Sequence, residues 1–73
     1  MVNVTKGDTL FLRDGQRGIV VGSVFKMNSQ DRNYYAVPVD IGICVLPVDL
    51  RIVVEVWRNG QPVAQQKDLF GEG

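Results

Sequence analysis

Apolar residues in this chain recur at every second position, and glycine or proline interrupts the pattern every few residues. A period of two is the signature of strands with one side buried, and the interruptions set short strands between tight turns. With 73 residues to work with, the fold is therefore one small all-β domain. Thr9-Leu10-Phe11-Leu12-Arg13 alternates cleanly, and Asp14-Gly15-Gln16-Arg17-Gly18 supplies the next reversal. Ile19 to Lys26 reads as a longer strand that bends at Gly22, and Met27 to Arg32 as a polar loop. Asn33 to Val39 and Ile41 to Leu46 follow as strands, with Pro38 placing the first of them at an edge. Pro47 to Leu50 reads as one helical turn and Arg51 to Trp57 as the fifth strand. Asn59-Gly60 is a type I′ turn signal that folds Gln61 to Gln65 back as a hairpin. The expected division is a five-stranded barrel over residues 1–58 and a hairpin or partly flexible tail over 59–73.

Charge and composition narrow the chemistry. Eight basic and eight acidic residues cancel, which disfavours binding to nucleic acid by counterion release alone. The chain has no histidine, so histidine-based acid–base catalysis and most zinc sites are excluded. The scattered carboxylates show no metal-ligand spacing, and no glycine loop leads into a helix to cradle a phosphate. Cys44, the sole cysteine, cannot form an internal disulfide, and its β-branched neighbours predict a small buried thiol. No secretion signal or membrane-length apolar run is evident, so the expectation is a cytoplasmic protein with no membrane association. A non-enzymatic binding module without metal or cofactor is what remains.

Two features point to surfaces. Phe11, Phe25 and Tyr34 fall on the opposite phase from Leu10, Leu12, Val24 and Tyr35, and an outward orientation would make them an aromatic patch. Ile19-Val20-Val21 and Ile52-Val53-Val54 are apolar on both faces, more than a barrel this small can bury, which predicts a homo-oligomer.

Three resemblances add expectations. Five strands with a helical turn before the last is the order of an SH3-like barrel. Lys6-Gly7-Asp8-Thr9-Leu10-Phe11-Leu12 followed by Gly15-Gln16-Arg17-Gly18-Ile19-Val20 resembles a KOW motif, which implies such a barrel and contact with RNA, DNA or protein. Gly7-Asp8, Tyr35-Ala36-Val37 and Ile43-Cys44-Val45-Leu46-Pro47-Val48 are similar to segments of the small plasmid-borne dihydrofolate reductases. Here, however, Cys44 and Leu46 replace the polar residues that would hold folate and nicotinamide, so shared architecture is the main implication and a dihydrofolate-reductase-like enzyme the lesser alternative. Gln66-Lys67-Asp68-Leu69-Phe70 resembles the bacterial sliding-clamp-binding pentapeptide at Gln66, Asp68, Leu69 and Phe70, with Lys67 where leucine is frequent. That resemblance implies docking on the replication clamp, with Leu69 and Phe70 as apolar anchors, Gln66 bonding the pocket rim and Asp68 shaping the turn. A folded-back tail, in which Leu69 and Phe70 cover an edge of the barrel, is the competing expectation.

Overall fold

The computed structural model describes residues 4–30 and 32–69, and it is all-β, as the alternation predicts. Seven strands form one antiparallel sheet: β1 (Thr9–Leu12), β2 (Arg17–Val20), β3 (Phe25–Ser29), β4 (Arg32–Asp40), β5 (Val45–Asp49), β6 (Val53–Arg58) and β7 (Gln61–Gln65). A 3-10 turn, Leu50–Ile52, separates β5 from β6, and a single helical turn, α1 (Gln66–Leu69), follows β7. Among the described residues no helix is long and apolar enough to cross a membrane.

Hydrogen bonding runs in the order β3-β4-β2-β1-β6-β7, with β5 attached to β4. The ladder does not return on itself, so the expected closed, five-stranded barrel becomes an open, seven-stranded sheet. Two local causes raise the strand count. The bend at Gly22 divides the long second strand into β2 and β3, both paired with β4. Asn59 and Gly60 take φ values of 54° and 77°, the two positive angles a type I′ turn requires, and β7 pairs back on β6. The edge strands β5 and β7 contain Pro47 and Pro62, whose rings remove a ladder donor and leave these edges poor templates for closure.

Three boundaries differ from the sequence pattern. Residues expected as a polar loop extend β3 to Ser29, and β4 begins at Arg32 after a tight reversal at Gln30, where φ is 54°. The next strand begins at Val45 rather than Ile41, because Gly42 takes φ 107° and residues 41–44 close the β4–β5 hairpin. The helical turn lies at Leu50–Ile52, where the Asp49 side chain accepts the Arg51 N–H. Pro38 is not at an edge, since β4 has neighbours on both sides. Its carbonyl accepts from Val21 N–H, so its missing donor faces the same interrupted stretch beside Gly22. Across the other ladder it faces Pro47, a position where neither residue need donate.

Leu10, Val20, Val37, Val39, Val53 and Val56 are fully buried within one core cluster. Gly18 lets β2 and β4 meet there: a Cβ on it would lie 2.5 Å from Val39 Cγ1 and 2.6 Å from the Asp40 carbonyl oxygen.

Candidate functional site

Strand register determines which side chains share the outer face. Partners directly opposite across each ladder point the same way, so the register can be followed from strand to strand. One row runs Val45, Asp40, Ile19, Thr9, Trp57, Pro62 through β5, β4, β2, β1, β6 and β7. A parallel row runs Arg17, Phe11, Glu55, Gln65. On the other side of the first row stand Val21 and the facing pair Pro38 and Pro47. None of these residues is buried, and Val45 and Ile19 are 54% and 46% exposed. The sheet is therefore apolar on both sides. Its inner valines form the core, while its outer face presents Val45, Ile19, Val21, Phe11 and Trp57 to solvent.

Local contacts give this face its shape. Phe11 and Trp57 meet edge to face, ring centroids 5.8 Å apart, and the indole N–H donates to Glu55 Oε1 at 2.9 Å. Thr9, Arg17, Gly18, Ile19 and Asp40 line a shallow cleft, and a second cleft shares Arg17 with Gln16, Ile41 and Ile43. Asp40 Oδ1 accepts Gly42 N–H at 2.8 Å, which anchors the hairpin tip, where Ile43 is 90% exposed. Neither Arg17 nor Asp40 has an ion-pair partner among the described residues.

The predicted aromatic patch is not a single site. Phe11 lies on β1 against Trp57. Tyr34, on β4, lies under Arg51, whose guanidinium is 5.4 Å from the ring centre. Asp49 grips that guanidinium at 2.7–3.1 Å, and this bonding holds the Asp49 carboxyl below its usual range. Phe25 is exposed on β3 at the far end of the strand order. Cys44 is exposed rather than buried, because residues 41–44 form the turn of the β4–β5 hairpin. Its neighbours Ile43, Val45 and Leu46 are likewise exposed, so the segment similar to the reductases forms a surface turn and an edge strand. The basic residues of the KOW-like segment are dispersed: Arg13 donates to the Arg51 carbonyl at 3.0 Å, Arg17 lines the cleft with Thr9, Ile19 and Asp40, and Lys26 is on β3.

Among the clamp-like residues, Leu69 is buried at 3% exposure within the core cluster. The Gln66 side-chain amide donates to the Arg51 carbonyl, the acceptor that Arg13 also uses. Lys67 and Asp68 are in α1, and Phe70 lies outside the described residues. For Leu69, this is the folded-back arrangement.

Trp57 and Val45 were missed as surface residues by sequence reasoning. The two-sided apolar strands carried the signal, but the register that joins them into rows is a tertiary property. No known protein family, curated protein or solved structure matches this chain.

Proposed function

We propose that this chain is a non-enzymatic binding module that recognises another protein through the outer face of its sheet. The observation that carries the reading is the row Val45, Asp40, Ile19, Thr9, Trp57, set between Val21 and Phe11 on strands whose inner face is already packed. Apolar surface left in water costs about 25 cal/mol per Å², and a connected patch of this kind marks an interaction site. Arg17 and Asp40 set opposite charges among these apolar side chains, which lets the face select its partner. The test uses immobilised full-length chain beside its Ile19→Lys/Val45→Lys variant. Proteins retained by the first and lost from the second support the reading. Identical retention by both overturns it.

A second reading has its own observation in Gln66 to Phe70, which resembles the sliding-clamp pentapeptide and follows β7 in the chain. Docking of that segment needs Leu69 to leave the core and Gln66 to release the Arg51 carbonyl. Re-exposing a leucine costs about 2–3 kcal/mol, roughly a 30- to 150-fold loss of affinity relative to a free peptide. A peptide of residues 61–73 should therefore bind purified clamp at least about 30-fold more tightly than the full chain does. Leu69→Ala with Phe70→Ala should abolish both interactions, and failure of the peptide to bind removes this reading.

A further inference from the structure

We infer that the outer face is an interface between two copies of this chain, related by a two-fold axis near Ile19, with each Arg17 paired to Asp40 of the second copy. The inference rests on the binding-module reading above and names its partner. It starts from charge. The outward-facing charges around Ile19 are Arg17, two residues before it on β2, and Asp40, directly opposite it on β4, and both line the cleft that contains Ile19. Neither forms an ion pair within the chain, and Asp40 has committed only Oδ1, to Gly42 N–H. Glu55, the other carboxylate on the face, is taken by the Trp57 indole. A surface with one cation and one anion flanking an apolar centre is self-complementary under a two-fold rotation, because residue i meets j while j meets i.

Two further observations favour a second copy. Formal net charge is zero, so two copies approach without long-range repulsion. A standard interface takes about 800 Å² from each partner, about a sixth of the 5047 Å² accessible on this chain. The rows of the outer face cross six strands.

Sedimentation equilibrium of the pure full-length protein tests the inference, and the single tryptophan supplies a second readout. Trp57 stands in the apolar row, so its emission should shift to the blue as the concentration rises and the face is covered. The expected result is a species of twice the chain mass. Ile19→Lys and Val45→Lys should each weaken association at least tenfold while keeping the native circular dichroism spectrum. Arg17→Glu and Asp40→Lys should each be monomeric alone and associate when mixed in equal amounts, because the mixture restores opposite charges at both contacts. A chain that is monomeric up to about millimolar concentration overturns the inference, as does a dimer indifferent to both lysine substitutions. Single charge variants that fail to associate on mixing overturn the Arg17–Asp40 contact. A monomer whose capture of another protein still depends on Ile19 and Val45 defeats the second copy alone, whereas loss of that capture as well defeats the binding-module reading.

Discussion

Asp8 is the one buried charged side chain among the described residues, at 1% exposure, and its bonding explains how it is tolerated. Arg58 Nε and Nη2 donate to its two oxygens at 2.9 Å each, and Thr5 N–H donates to Oδ2 at 2.9 Å. Arg58 beside it, against the opposing effect of burial, holds the Asp8 carboxyl below its ordinary value. A carboxylate depressed in the folded state stabilises the fold above its unfolded pKa of about 4, and that contribution fades as pH falls through the lower folded value. Asp8→Asn should therefore cost about 1–2 kcal/mol at pH 7, a modest figure because Arg58 is partly solvated. The difference from wild type should shrink in urea melts below pH 4, and a pH-independent difference would assign the loss to packing. Gly18→Ala should cost about 1–3 kcal/mol, since the added methyl meets the Asp40 carbonyl oxygen and Val39 at under 3 Å. Cys44 should react with a small thiol reagent in native protein nearly as fast as in urea, and strong protection would contradict its exposure. The Lys6-Gly7-Asp8 turn was legible in the sequence, where Gly7 supplies a φ of 97°. Arg58 as the counter-ion was not, because a separation of 50 positions leaves no local trace of a pairing.

Elements were legible where a turn residue and a period agreed. β1, the bend at Gly22 and the Asn59-Gly60 hairpin all satisfy that condition. The fourth expected strand failed because Ile41-Gly42-Ile43-Cys44-Val45-Leu46 alternates like a strand, while the pairing of Asp40 with Val45 leaves residues 41–44 only enough length to turn. Alternation reports which faces are apolar; register decides where a strand begins. The tail illustrates the same limit. Leu69 and Phe70 read equally well as free anchors or as a returning strap, and only the core could place Leu69. The two leucines at 69 and 46 separate these cases by experiment. Leu69→Ala should lower stability by about 2–3 kcal/mol in urea melts, the ordinary cost of a large core truncation. Leu46→Ala, on a half-exposed edge, should cost less than about 1 kcal/mol. A Leu69→Ala cost near zero would mean that α1 contributes nothing to the fold and would strengthen the clamp-docking reading.

At the scale of the molecule, a chain of this length removes only about 60% of its unfolded surface, so a few kcal/mol is all the isolated fold can hold. The inner valines belong to the core, and the outer row is not buried. Covering the outer row couples folding to association, which makes stability depend on protein concentration. Each tenfold rise in concentration adds about 1.4 kcal/mol per dimer, or half that per chain. For a domain near this size that is a rise of about 3–6 °C in Tm per decade. Calorimetric melts from about 10 μM to 1 mM should show that slope in wild-type protein and a flat line for Ile19→Lys. The substitution replaces a side chain already 46% exposed, so the low-concentration Tm of the two proteins should converge. Should the wild-type Tm also be flat, the outer face is not closed by a second copy, and the stability of the fold comes from its inner side alone.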